Sequence, residues 1–168
     1  MTEPLNGACL CGVQPLEVRI IPAREESLAR INDLIVHSKS YWKWPADYLE
    51  KALPLHEIDL SYLRGNQCFE LLDVNDQLAA FLAVAISDER VVLDNLWVRP
   101  DLIGKGVGRR ACEHVFRLAR EYAWMDLWVI PDPPAAGFYK RMGFSDTGEQ
   151  VPSRVPGGPM FTVYRIRV

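Results

Sequence analysis

Three glycines alternate in DLIGKGVGRR, residues 101–110: Gly104, Gly106 and Gly108, with Lys105 between the first two. A glycine inside a helix costs about 0.5–1 kcal/mol relative to alanine. Repeating it where a helix begins is useful when a ligand must approach the main chain. First-turn amide N–H groups have no intrahelical partner, and the helix dipole favours negative charge there. The segment therefore reads as a site for a phosphate-bearing ligand; the plainer alternative is a tight turn with close helix packing. It is not a Walker loop, because Gly106 follows Lys105, nor a dinucleotide fingerprint, because Arg109 stands where the third glycine belongs. Just upstream, Asp94 is the lone carboxylate in the apolar run VVLDNLWV (91–98). Unpaired burial of a carboxylate is expensive, so Asp94 must be partnered or face a cleft, where it would serve as a base, directly or through water, or as an anchor. Asn95 beside it would face the other side.

Strands and helices must position these groups. LEVRIIP (16–22) alternates and reads as a strand, followed by a helix with Leu28, Ile31, Leu34 and Ile35 at helical spacing. The aromatic stretch SYWKWP (40–45) precedes a short helix, ADYLEKAL, stopped by Pro54, and EIDLSYLRG reads as another, closed by Gly65. Turn signals at Asn75-Asp76 and at 87–90 divide the next stretch into a three-stranded meander whose last strand is 91–98. From Gly106 to Tyr122, Val107, Ala111, Val115, Leu118, Ala119 and Tyr122 form one apolar helical face. MDLWVI (125–130) follows that crossover as a parallel strand, then a helix over 135–142 ends at Gly143 and two more strands close the chain. The order predicts an α/β domain with a mixed sheet over 16–168, preceded by a loose arm over 1–15.

A chain of 168 residues with 49% apolar and 24% charged residues has a globular composition. Its net charge of −3 argues against a general grip on nucleic acid, which needs many basic phosphate contacts. No apolar run approaches the roughly 18 residues of a membrane span, and no signal peptide is evident, so a cytoplasmic location is expected. Cys9, Cys11, Cys68 and Cys112 read as reduced thiols, and no cluster of residues has metal-ligand spacing.

LWVRPDLIGKGVGRRACEHV followed by WVIPDPPAAGFYKRMGF resembles the two central motifs of the GNAT acyltransferase superfamily. Val98-Arg99-Pro100 matches V-x-P, and Gly106 and Gly108 match the glycines of Q/R-x-x-G-x-G/A. Ala135, Phe138, Tyr139, Gly143 and Phe144 match N-x-x-A-x-x-F-Y-x-x-x-G-F. The likeness is dense over about 91–146. Two positions depart from the pattern: Ile103 stands where glutamine or arginine is usual, and Asp132 where asparagine is usual. A carboxylate at 132 accepts hydrogen bonds but cannot donate them.

The resemblance implies a GNAT-like mixed, mostly antiparallel sheet, with a splayed parallel central pair (91–98 and 125–130) and flanking helices. It implies transfer of an acyl group, usually acetyl, from acetyl-CoA as co-substrate to an amine, with no metal. Leu96, Trp97 and Val98 would contact the pantetheine arm, and Ile103, Gly104, Lys105, Gly106, Val107, Gly108 and Arg109 would meet the pyrophosphate. Asp132, Ala135, Phe138 and Tyr139 would add contacts from the second motif. Tyr139 occupies the position of the acid that protonates the leaving thiolate, or else packs on the coenzyme. In this family the acceptor pocket comes from the first two helices with their connection and from the final hairpin, here HSKSYWKWP and SRVPGGPMF. Tyr41, Trp42 and Trp44, with Asn95, would wall that pocket and attract a protonated amine, or the aromatics would pack beneath the loop as core. His37, His56 and His114 read as exposed or inert. The expected activity is N-acetylation of a primary amine on a small metabolite by direct transfer. The alternatives are acetylation of a protein N-terminus or lysine, and a non-catalytic acyl-CoA-binding module. The partner is thus a small-molecule amine, not nucleic acid or membrane, and a homodimer is left open.

Overall fold

The computed structural model describes residues 16–168; the arm expected over 1–15 lies outside them. Seven strands form one sheet: β1 (Arg19–Pro22), β2 (Gln67–Leu72), β3 (Leu78–Ile86), β4 (Val91–Val98), β5 (Asp126–Val129), β6 (Ser145–Pro152) and β7 (Met160–Arg167). Their order is β1-β2-β3-β4-β5-β7-β6, antiparallel throughout except for the parallel pair β4–β5. The first strand is shorter than the alternation over 16–22 suggests. Arg19 pairs with Leu72, where β2 ends, so the residues before it have no ladder to join.

The helices are α1 (Leu28–Ser40), α2 (Ala46–Ala52), α3 (Leu60–Gly65), α4 (Val107–Glu121) and α5 (Ala136–Arg141). β3 shows why two layers are needed: Leu78 to Val84 is buried residue after residue, as expected of a strand covered on both faces. Phe81 and Ala83 pack with Ile31, Leu34 and Ile35 of α1 and Leu63 of α3. Ala80, Leu82 and Val84 pack with Val107, Ala111, Cys112 and Val115 of α4. The α1 stripe that buries Ile31 and Ile35 continues at the same four-residue step to Lys39, which has no solvent exposure.

β4 and β5 share one register pair, Val92 with Trp128. β4 continues six residues beyond Val92, while β5 ends one residue after Trp128. The sheet opens there, and α4 and α5 follow the two parted strands. Among the described residues no helix is long and apolar enough to cross a membrane.

Candidate active site

The glycine segment caps α4. Gly104 and Gly106 have φ of +80° and +90°, a left-handed backbone that strains any residue with a Cβ. No atom lies within 4 Å of where a Cβ would stand at either residue, so both positions border open space. The first α4 hydrogen bond runs from the Arg110 amide to the Gly106 carbonyl, 3.0 Å. The amides of Gly106, Val107, Gly108 and Arg109 therefore begin the helix without a carbonyl partner four residues back. Positive φ at the cap and a run of free amides fit a phosphate-bearing ligand.

Two expected backbone contacts need correction. The Ile103 and Lys105 amides are engaged within the loop, by Pro100 O at 3.3 Å and Leu102 O at 3.1 Å. Ile103 still lines the cleft with its side chain, whereas the exposed Lys105 side chain does not line it. Val107 offers its amide only, because its side chain is fully buried in the core. Gly108 has its own constraint: a Cβ there would stand 3.2 Å from Cζ of Phe138, so the close approach is by a ring of α5.

A cleft of about 860 Å³ runs from this loop along the parted strands. Leu96, Trp97 and Val98 line it from β4, Gly104, Gly106, Gly108 and Arg109 from the loop and α4. Asp132, Ala135, Phe138 and Tyr139 line it from the other side. Tyr139 is buried against Phe138 and Phe144, with ring centroids 5.0 and 5.6 Å away. Burial above all, then Cys112 and Asp132, holds its hydroxyl well above the usual tyrosine range, so it remains a proton donor.

A second cavity, of about 330 Å³, lies between α2, α3 and the β6–β7 hairpin. Four residues line both cavities: His56, Asp94, Ile130 and Asp132. They mark the passage between the two.

Asp94 reaches this passage because β4 is bulged. Ala83 pairs with Asn95 but Val84 pairs with Leu93, which leaves Asp94 as a surplus residue opposite no partner. Leu93 and Asn95 are buried on either side while Asp94 is exposed into the cavities, rather than sunk in an apolar strand. The Tyr62 hydroxyl of α3 donates to Asp94 Oδ2 at 2.5 Å. Asn95 Nδ2 donates to the Tyr62 oxygen at 2.7 Å and to Asp94 Oδ2 at 3.1 Å, and its Oδ1 accepts from Trp97 Nε1 at 2.6 Å. The Asn95 amide thus fixes Asp94, rather than facing the other side. Burial, then the hydrogen bond to Asp94, raises the Tyr62 hydroxyl far above its ordinary range.

Lys39 is the residue that sequence reasoning missed. Its Nζ donates to both oxygens of Asp132 at 2.7 Å. The rings of Trp44, Tyr48 and Trp97 stand 4.9, 5.8 and 5.8 Å from the ammonium. Its signal was the helical spacing, four residues beyond Ile35. This placement also corrects the aromatic segment. Tyr41 is exposed and lines neither cavity, and Trp42 lines the larger cleft. Trp44 stacks on Tyr48 at 4.7 Å and covers Lys39. The rings in the smaller cavity are instead those of Tyr48, His56, Tyr62 and Phe161. His56 is half-buried rather than exposed, and His114 is half-buried against Phe69. Among the described residues no His, Cys, Asp and Glu cluster could hold a metal ion.

Fold and site together define a protein with a glycine-capped helix start at one end of a parted strand pair and a smaller chamber at the other. Residues 28–144 match the acetyltransferase (GNAT) family, and the chain belongs to that family. It is similar to streptothricin acetyltransferase of Streptomyces lavendulae, 32% identical over 89 residues. That match covers 49% of this chain and 47% of the relative, so the chain spans about half the length of the curated relative it matches. Among solved structures, a GCN5-related N-acetyltransferase from Rhodopseudomonas palustris has a TM-score of 0.79 at 17% identity, covering 94% of this chain and all of that one. The PaiA N-acetyltransferase from Thermoplasma acidophilum, in complex with coenzyme A, has a TM-score of 0.75 at 12% identity, covering 91% of this chain and all of that one. At these identities the two structures bear on the fold.

Proposed function

We propose that this protein is an N-acetyltransferase that moves an acetyl group from acetyl-CoA to a primary amine of a small molecule by direct transfer. The observation that carries the reading is the passage shared by the two cavities: a phosphate cradle opens at the far end of one, and an acidic side chain stands where that one meets the other. Acetyl-CoA, when bound, supplies an acyl group activated as a thioester.

The amides of Gly106, Val107, Gly108 and Arg109 would hold the pyrophosphate, and the β4 wall would hold the arm that runs from it. Asp94 is the base of this reading. Its Oδ2 is occupied by Tyr62 and Asn95, while its Oδ1 receives no hydrogen bond from a described residue and is available to an amine or an intervening water. The proton shed by the attacking nitrogen goes to that carboxylate, directly or through water. Tyr139, buried and protonated, supplies the proton that the departing sulfur needs.

The size of the acceptor chamber, about 330 Å³, supports a small amine over a folded protein's terminus. Similarity to a relative named for acetylating streptothricin points the same way.

The test is incubation with acetyl-CoA and three pools, of small amines, amino acids and peptides, following free thiol and product mass. Acetylated small amines are the expected product. Acetylated peptides alone would overturn the acceptor class, and coenzyme A binding without transfer to any pool would overturn the activity.

A further inference from the structure

Of the four residues lining the passage, His56 has no part in the mechanism above. Its ring lies edge-on to Trp97 of β4, with 5.3 Å between centroids and a 73° angle between planes, so packing fixes its orientation. No described residue forms a hydrogen bond to either ring nitrogen, yet the residue lines both cavities. The ring packs on Trp97, and the residue borders the passage with neither nitrogen engaged by a described residue.

The charges around it are distinctive. The charges of Lys39 on α1 and Arg154 on the β6–β7 hairpin act on it, and Asp94 faces the same passage from β4. Asp132, after β5, holds Lys39, and Glu57 follows His56 in the chain and lines the smaller cavity. Burial first, then Lys39 and Arg154, lowers the imidazole from 6.5 to about 4, which leaves it neutral at pH 7. A neutral imidazole has one nitrogen with a free lone pair and cannot repel an ammonium. Two cations near an amine-binding chamber look counterproductive by themselves. They have a use if their effect is to keep a third basic group uncharged.

We propose that His56 is a further catalytic residue, whose imidazole accepts a hydrogen bond from the acceptor amine in the passage while Asp94 takes the proton the amine sheds. This rests on the transferase reading above. Two acceptors on different elements, one neutral and one anionic, fix the nitrogen so that its remaining lone pair points along the passage toward the larger cleft. Fixing the direction of attack is worth rate even when the acceptor takes no proton itself.

Two variants test it, with the most active amine from the pools above. His56→Phe keeps a ring on Trp97 and removes both nitrogens; His56→Gln keeps an acceptor. Phenylalanine should lower kcat/KM for the amine by about tenfold to a hundredfold, with acetyl-CoA KM unchanged, and glutamine should recover most of that loss. Wild-type kinetics in His56→Phe would overturn the proposal, as would equal losses in both variants. A second measurement stands apart from turnover: ¹⁵N signals of the histidine rings, followed while n-butylamine is added to the coenzyme A complex. The His56 acceptor nitrogen should shift on addition of amine. An unmoved His56 signal with the amine bound would overturn the contact even if no pool supports transfer, and a shifted signal without transfer would separate failure of the transferase reading from failure of this one.

Discussion

Lys39 and Asp132 join the two walls of the site. The ammonium at the end of α1 donates to both oxygens of a carboxylate 93 residues away, in the segment that follows β5. Lys39 is fully buried and the Asp132 side chain is 15% exposed, so neither charge has bulk water to fall back on. Desolvating such a pair offsets most of its attraction, but removing one partner leaves the other charge stranded. Lys39→Met and Asp132→Asn should each lower unfolding stability by about 3–5 kcal/mol. The double variant, with a neutral amide beside an apolar chain, should regain most of that. Urea midpoints of the four proteins give the answer, and additive losses would show that the two residues act separately.

The glycine loop separates two effects that sequence alone merges. Gly106→Ala puts a Cβ on a backbone with φ of +90°, with open space around it. It should weaken coenzyme A binding and cost about 1 kcal/mol or slightly more in stability. Gly108→Val meets the Phe138 ring instead and should disturb the α4–α5 contact, lowering the melting temperature further. Calorimetric titration with coenzyme A, set beside thermal melts, distinguishes loss of the cradle from loss of packing. Unchanged affinity in a folded Gly106→Ala would remove the cradle from the site.

Tyr139→Phe should reduce kcat while leaving the KM for acetyl-CoA little changed, if the hydroxyl acts on the departing sulfur. The same burial makes a claim about alkaline stability. A hydroxyl harder to ionise in the fold than in the unfolded chain stabilises fully below the unfolded value and is lost as pH rises above it. Cys68 and Cys112, both pushed up from 9.0 to about 12 by burial, act in the same direction. Unfolding stability should therefore decline from about pH 9 upward, and Cys112→Ala should flatten that decline.

At the acid end the sign reverses. The folded protein resists protonation of His56 until about 4, whereas an unfolded chain binds that proton near 6.5. Stability is present above 6.5 and falls as pH drops toward 4, by roughly 3 kcal/mol for a shift of this size. His56→Phe should remove that share of the slope. Denaturant curves at closely spaced pH values measure it, and an unchanged slope in the variant would assign the acid loss to other groups.

The features set by local spacing were legible in the sequence. The alternate glycines, the apolar stripe of α4 and the F-Y-x-x-x-G-F run fix their own surroundings, and they led to the glycine-capped helix start, the crossover helix and the short helix that carries Tyr139. What remained hidden depends on residues distant in the chain. Lys39, in HSKS, gains its surroundings only when Trp44 and Tyr48 fold over it and Asp132 arrives. The clues were its four-residue step from Ile35 and an aspartate at 132, an acid in need of a cation. Tyr62 sits in a helix of six residues, too short to show a clear periodic face, and its link to the site is the hydroxyl it extends to Asp94. The aromatic segment divides for a related reason: Tyr41 is exposed and Trp42 lines the larger cleft, while Trp44 covers a buried ammonium on the preceding helix.

The surplus residue in β4 has an implication for chain length. Without residue 94, Leu93 and Asn95 would be neighbours, and the residues from Ala80 to Ile86 would face Val98 to Val91 in one uninterrupted ladder. Deletion of Asp94 is therefore a different perturbation from its substitution. It mends the sheet and removes the carboxylate together, so the shortened chain is expected to keep its fold while losing the acid at the passage. In any relative aligned to this chain, a gap at that position would mark a protein with a sound scaffold and no carboxylate at this point of the passage.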